Sequence, residues 1–595
     1  MTVAPGGGDA SVGRSAHAPG IERTPLVSGA ETLTLARLVP WMVALAAFGA
    51  AVAAIGPWPV GVFQDDGIYM VLAKSLATGE GYRYLNVPGT PNATHYPPLF
   101  PAVLAILWKV SPSFPQNVAL FKFANAAWLG GAAALFYAFA RERLQLGRMA
   151  AGLGVAAFSA CAPVVLLTVM VLSEPMFLCT LAGTLILCER AASSARVKDA
   201  AIAGAAAAVL SLVRTLGILC VPATMLVLAW RRQWRAAFAM GAVTILLSIP
   251  WQLWVGAHAA EVPSIFLGKY GSYLGWLVDA VQRDGIVFLR DVAWANLKSL
   301  VAQGWASTAT DTLNVYVRNT TSIALAFFFG LGLGAFARRA PSVALFLLFY
   351  LGIVVIWPFA PARFTWGVWP LVGLVYTMAV VTVWEWRGVA SGAWGAPPNN
   401  TIASATDARI IISARPSSIQ RILRPLALAS LSALAVGYAG YNYLGVTRDW
   451  WGVVQGSVAN RARPLAEWVA ANTDSTAVLA TDDDVLMHLY TGRKAIPNSA
   501  FTPQEHLVEQ SPAFAVQSLR TILATYRVDY VLASARYGAH AVQGLVQATP
   551  PELRVVRRLP TGAIFVPVQG SRSTPSAGDA VSPRATDAPS SRVTR

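Results

Sequence analysis

The 595-residue sequence predicts a polytopic α-helical membrane protein with a small C-terminal α/β domain outside the membrane, and three observations carry that prediction. Hydrophobic residues make up 55% of the chain and charged residues 12%, with a mean hydropathy of +0.52, far more apolar than a soluble domain. Apolar runs of the length a bilayer demands recur about eleven times between residues 38 and 446. After the last of them the composition turns to scattered charges and an α/β rhythm.

Residues 1–34 are rich in Gly, Pro, Ala and Ser, contain no apolar block and read as a disordered cytoplasmic tail. The first apolar run, near 38–60, starts too late and runs too long for a signal peptide, and many more follow it, so it reads as a retained helix. The others lie near 117–139, 149–169, 175–190, 199–214, 216–230, 236–255, 321–337, 342–358, 365–384 and 425–446, giving a transmembrane region over 35–446. Cys161, Cys179, Cys188 and Cys220 fall in or beside these runs without metal-ligand spacing, and read as small core hydrophobes.

The net charge of +16 does not point to nucleic acid, because Lys and Arg gather in short clusters between apolar runs and in the tails. Basic connectors at Arg141 to Arg148, Arg190 to Lys198, Arg231 to Arg235, Arg338-Arg339 and the linker 385–424 alternate with connectors poor in Lys and Arg. Placing the basic ones in the cytoplasm puts the N-terminus inside and everything after about Tyr443 outside, as an odd number of spans requires. Two outer loops result, about 61–116 and 256–320. The first carries a helical stretch from Ile68 to Ala77, a Gly-rich turn at Gly79 to Tyr82, and an apolar stretch from Ala102 to Val110 that is too short to span and reads as a helix in the interface. The second interleaves Trp276, Phe288, Trp294 and Trp305 with charges, as a segment anchored at headgroup level does. Residues 447–570 read as a folded outer α/β domain, with helices at Arg463 to Ala471 and Val516 to Tyr526 and strands at Ala477 to Ala480, Asp529 to Leu532, Leu553 to Leu559 and Ala563 to Val568. The tail 571–595 reads as disordered.

Asp65 and Asp66 stand side by side just beyond the first span, where ionisable residues are costly and default to function. They read either as the cap and first-turn carboxylate of the helix that follows, or as a general base with a neighbour that orients an acceptor or a metal. Tyr69 completes the same motif. Glu174 lies at the outer mouth of a span, where it either caps the helix beginning at Pro175 or takes part in chemistry. Arg214 and Arg363 lie at outer turns, which the positive-inside tendency disfavours; each either snorkels to lipid phosphates or joins the other in bidentate recognition of a phosphate. Lys269 and His95 are further candidates of that kind, and the run Asp482-Asp483-Asp484 reads as a solvated loop after a strand.

The succession of a first span, the motif Asp65-Asp66-Gly67-Ile68-Tyr69, the spacer Ala73 to Gly81-Tyr82 and the run Tyr96-Pro97-Pro98-Leu99-Phe100-Pro101 resembles the membrane glycosyltransferases of the GT-C fold. The resemblance is to the branch that holds protein O-mannosyltransferases, the lipid A aminoarabinose transferase and bacterial enzymes that decorate lipopolysaccharide cores. It covers about residues 38–384, and Leu489 to Arg493 and Val528 to Val531 look like parts of the outer domain of bacterial members. It implies a GT-C-like catalytic region that takes a sugar from a polyprenyl-phosphate carrier on the outer face of the plasma (inner) membrane and gives it to an envelope glycan, lipid or protein acceptor. It also implies that Asp65 acts on the acceptor, with Asp66 standing where relatives often have Glu; the phosphate leaving group needs cationic stabilisation, for which topology, and no motif, makes Arg363 and Arg214 the candidates. Direct displacement would invert the anomeric carbon. Members of the broader fold differ in using a divalent cation, and an Asp pair, here Asp65 and Asp66, does not decide it. A lipid or glycan transporter or flippase is the competing class, but no internal repeat with broken helices in matching halves is evident. A scaffold or receptor is a third class, and no recognisable binding motif in 447–570 supports it.

Overall fold

A computed structural model describes residues 29–568 except 273–276, 279–280, 283–284, 307–314, 358, 386–417, 449–451, 501–510 and 535–538. Most of the expected N-terminal tail, the C-terminal tail, most of the linker 385–424 and Trp276 lie outside the described residues.

Inside a bilayer every backbone polar group must be satisfied within the segment, so the apolar runs have one way to fold, as helices. They form α1 (Gly29–Ala53), α4 (Val118–Glu142), α5 (Arg148–Ser159), α6 (Ala162–Val169), α7 (Glu174–Ser194), α8 (Val197–Val213), α9 (Cys220–Trp230), α10 (Trp234–His258), α13 (Val315–Arg339), α14 (Pro341–Ile356), α16 (Trp369–Glu385) and α17 (Ser418–Arg448). The helix α1 already begins inside the stretch expected as tail. Among the described residues five helices are long and apolar enough to cross a membrane, and α5 with α6, bent by 52°, makes a sixth. The protein is therefore a multi-pass membrane protein. The eleven expected runs all coincide with helices, but length and composition by themselves establish only five or six spans.

Close helix approach comes from small residues rather than from apolar driving force, which lipid removes. A Cβ on Gly332 of α13 would lie 2.1 Å from the Val375 carbonyl oxygen of α16, and one on Gly204 of α8 would lie 2.5 Å from the Met240 carbonyl oxygen of α10. Lys122, buried in α4, donates to the carbonyls of Gly56 at 3.0 Å and Trp58 at 2.9 Å, and so ties down the chain as it leaves α1.

Between α1 and α4 lie α2 (Asp65–Thr78), which ends in a left-handed cap at Gly79, and α3 (Leu99–Val110). The helix α3 starts a little before the predicted stretch and is two-faced: Phe100, Leu104 and Trp108 are buried while Ile106 and Val110 are exposed. The segment between α10 and α13 contains α11 (Leu267–Tyr270) and α12 (Val287–Ala306), and a short helix α15 (Pro361–Trp366) precedes α16.

The C-terminal part packs α18 (Val453–Asn472), α19 (Asp484–Thr491), α20 (Pro512–Tyr526) and α21 (Ala539–Gln547) on a five-stranded sheet. Its strands are β1 (Val478–Thr481), β2 (Lys494–Pro497), β3 (Tyr530–Ser534), β4 (Leu553–Leu559) and β5 (Gly562–Pro567), in the order β2-β1-β3-β5-β4. β1 runs parallel to β2 and β3, while β5 is antiparallel to β3 and β4. The strand β2 and the helices α19 and α21 are absent from the sequence reading; β2 opens on lysine and ends in proline, which is disfavoured inside strands.

The acidic run 482–484, expected as a solvated loop, is instead tied down at the carboxyl ends of β1 and β3. Asp482 accepts from the Ser534 amide at 3.2 Å and its hydroxyl at 2.9 Å, and Asp483 lies 3.6 Å from Arg461. Asp484 is buried and receives Lys269 Nζ at 2.9 Å and the Tyr270 hydroxyl, both from α11. Asn86 donates through its side chain to the Tyr270 hydroxyl at 2.8 Å, and its backbone carbonyl accepts the Ala495 amide at 2.7 Å, so the α1–α4 connection, the segment after α10 and the sheet form one assembly. In parallel sheets the crevice at the strands' carboxyl ends is the usual ligand site; here it is used for docking. Asp484→Ala is expected to cost about 3 kcal/mol or more, because it strands the Lys269 ammonium in a mostly buried place. The double change Asp484→Leu with Lys269→Met should recover most of that loss in thermal unfolding, since an apolar pair often replaces a buried ion pair without penalty.

Candidate active site

The helix α2 begins abruptly after Gln64, which sits at φ 66 and makes no side-chain cap bond. Both aspartates stand in the first turn of α2, as the capping reading expects of one of them, but the cap position falls to Gln64 and not to an aspartate. Asp66 is fully buried and its carboxylate turns back on the preceding loop, accepting the Gly61 amide at 2.7 Å and the Phe63 amide at 2.9 Å. Gly67 is needed beside it, because a Cβ there would lie 2.8 Å from the Cα of Gly61. Burial pushes the Asp66 pKa up to about 6 against the pull of its amide donors. Its visible work is to clamp the loop onto the first turn of α2, which fixes Asp65.

Asp65 faces the other way. Its Oδ1 accepts the Tyr96 hydroxyl at 2.6 Å, and its Oδ2 lies 2.7 Å from Arg363 Nη1. Burial favours the neutral acid, but the Arg363 charge and the hydrogen bonds from Tyr96 and Arg363 outweigh it and hold the carboxyl below its ordinary range.

Glu174 is the first residue of α7 and is buried. Its Oε1 receives Arg214 Nη1 at 2.9 Å and Arg363 Nε at 3.2 Å, so the carboxylate bridges the two arginines, and the helix N-terminus behind it also favours its charge. Arg214 also donates to the Ser173 hydroxyl at 3.0 Å, which shares a hydrogen bond with the Tyr69 hydroxyl at 2.9 Å. Neither arginine snorkels to lipid. Both turn inward, with side chains 14% and 25% exposed. Glu174 Oε2 and Arg363 Nη2 are buried and have no hydrogen-bond partner.

The structure thus brings together Asp65, Tyr69, Glu174, Arg214 and Arg363 from α2, α7, α15 and the turn after α8. It adds Tyr96 and Ser173, which the sequence reading did not single out. Tyr96 had a signal: it precedes Pro97-Pro98 in the same motif, and a residue before proline is held extended and cannot drift into helix. Tyr69 packs edge-on against Tyr96 at 5.1 Å and Phe100 at 4.9 Å, which fixes both hydroxyls. His95 lies behind Tyr96, ring centroids 4.7 Å apart, and its Nδ1–H donates to the Gly271 carbonyl; burial lowers its pKa against the pull of that hydrogen bond and of Asp65. Lys269 is not part of the cluster, being paired with Asp484. Among the described residues no three His, Cys, Asp or Glu side chains group as metal ligands. The carboxylates of Asp65 and Asp66 point at different partners, so the pair does not present a joint donor set.

No protein-family model matches the chain, and no curated protein matches it. Among solved structures it is similar to ArnT from Cupriavidus metallidurans in the apo state, with a TM-score of 0.50 at 14% identity, over 91% of this chain and 100% of that one. The same protein bound to undecaprenyl phosphate gives 0.48 at 15% identity, over 92% and 100%. ArnT, an aminoarabinose transferase, has the GT-C fold, and the apo comparison gives this chain a fold of that type.

Proposed function

We propose that this protein is a membrane glycosyltransferase that moves a sugar from a polyprenyl-phosphate carrier to a hydroxyl of an envelope glycan, lipid or protein on the outer membrane face. The observation that carries the reading is the contact of Asp65 with Arg363, a carboxylate and a guanidinium 2.7 Å apart, backed by Glu174 and Arg214. The fold shared with ArnT supports it. The acceptor oxygen attacks the anomeric carbon, its proton passes to Asp65, and the carbon–oxygen bond to the phosphate breaks with its electron pair leaving on the phosphate oxygen. Arg363 and Arg214 meet that developing charge with positive groups already in place. Tyr96 holds Asp65 in position, and displacement in one step inverts the anomeric centre.

Comparing envelope glycans and lipid-linked sugars of cells with and without the protein tests this. A missing glycan modification with accumulation of its lipid-linked sugar is expected. A missing modification with the lipid-linked sugar stranded on the inner rather than the outer leaflet would support a flippase instead.

The reading requires the cluster to face outward, with eleven spans, the N-terminus and linker 385–424 inside, and 447–570 outside as a separate domain. A cysteine placed at Ser457, exposed on α18, should react with a membrane-impermeant reagent in intact cells, and one at Ser404 should not. The reverse pattern overturns the orientation and the outward active site together.

A further inference from the structure

We infer that the Asp65–Arg363 ion pair is a latch opened by the donor phosphate, so that the base is released only in the donor-bound enzyme and the donor binds before the acceptor. The inference rests on the functional reading above and concerns the order of events within it.

The geometry of Arg363 carries the argument. Its Nη1 is on Asp65 at 2.7 Å, its Nε is on Glu174 at 3.2 Å, and its Nη2 is buried with no partner. A phosphate takes a guanidinium by two parallel hydrogen bonds, and each two-pronged edge of Arg363 that includes Nη2 also includes Nη1 or Nε. Nε carries one N–H, so on that edge the phosphate displaces Glu174; Nη1 carries two, and on that edge the phosphate brings its negative charge beside the Asp65 carboxylate and competes with it for Arg363. Glu174 is held by a second cation, Arg214 at 2.9 Å, and is buried, so its departure would strand a charge. Asp65 is 26% exposed and keeps the Tyr96 hydroxyl on its other oxygen at 2.6 Å. Asp65 is the partner that yields.

The same contact restrains the base. With Arg363 on Oδ2 the carboxylate is a weak proton acceptor, because the paired charge stabilises its ionised form. Two carboxylates and two guanidiniums balance in the empty cluster, and the phosphate adds a negative charge. That excess is relieved when Asp65 takes the acceptor proton, so donor binding raises the proton affinity of the base where it is needed.

The test is binding of a polyprenyl monophosphate to the full chain in nanodiscs, with melting curves to confirm that each variant is folded. A latch closed about nine-tenths of the time lowers apparent affinity about tenfold, so Asp65→Asn should bind the phosphate about tenfold more tightly than wild type. Arg363→Gln should bind it much more weakly. Two carboxylates outside the cluster serve as controls: Glu261→Gln, whose side chain is on Asn92 and His258, and Glu467→Gln, whose side chain is on Arg463, should each leave the affinity unchanged. If Asp65→Asn binds like wild type while Arg363→Gln is weakened, the latch is wrong and the phosphate site stands. If the carboxylate controls tighten binding as much as Asp65→Asn, a general field acts and the latch is again wrong. If Arg363→Gln binds like wild type, the phosphate site fails and takes the latch with it.

Discussion

Asp65→Asn is expected to abolish sugar transfer while the protein stays inserted and folded. Asparagine keeps the size of the side chain and an oxygen for the Tyr96 hydroxyl, but it loses the pair with Arg363 and cannot take a proton from an acceptor hydroxyl. If Asp65 were only a structural partner of Arg363, the variant would lose stability, and the molecules that remain folded would transfer at the normal rate. As a general base it contributes on the order of a hundred- to ten-thousand-fold, so the two accounts differ by far more than assay error. The measurement is turnover per folded molecule in the reconstituted protein, with the folded fraction read from thermal melting. A rate near wild type would refute the assignment and move the search to Glu174. Asp66→Asn should fail differently, because an amide turned on the Gly61 and Phe63 N–H groups sets a donor against a donor. Its expected loss is in stability of the outer loop rather than in chemistry.

Arg363→Lys is the second large effect, with turnover expected to fall about a hundredfold or more although the charge is kept. A single ammonium cannot face Asp65, Glu174 and a phosphate along the planar edges that Arg363 offers from Nη1 and Nε. Arg214→Lys should be milder, because Arg214 reaches Glu174 and Ser173 through one nitrogen, Nη1, and an ammonium can replace a single donor atom. Donor affinity and turnover near wild type in the Arg363→Lys enzyme would show that the forked contact is not used. Glu174→Gln separates the two arginine effects further: it removes the bridge, and its loss should exceed that of Arg214→Lys.

By itself the sequence determined what depends on local pattern. Long apolar runs without compensating polar groups fold as membrane helices whatever surrounds them, and an acidic pair just past the first run draws attention as a candidate site, because charge is costly at that depth. Much of the α/β rhythm after residue 447 was legible for the same reason, but not β2, α19 or α21. Only the tertiary structure decided which charges meet. An ion pair needs a separation under about 4 Å, and those separations are set by how α2, α7, α8 and α15 pack, which no local pattern encodes. That packing turned Arg214 and Arg363 inward onto Glu174 and gave Arg363 to Asp65. It gave Asp66 to its own loop and drew Lys269 away to Asp484.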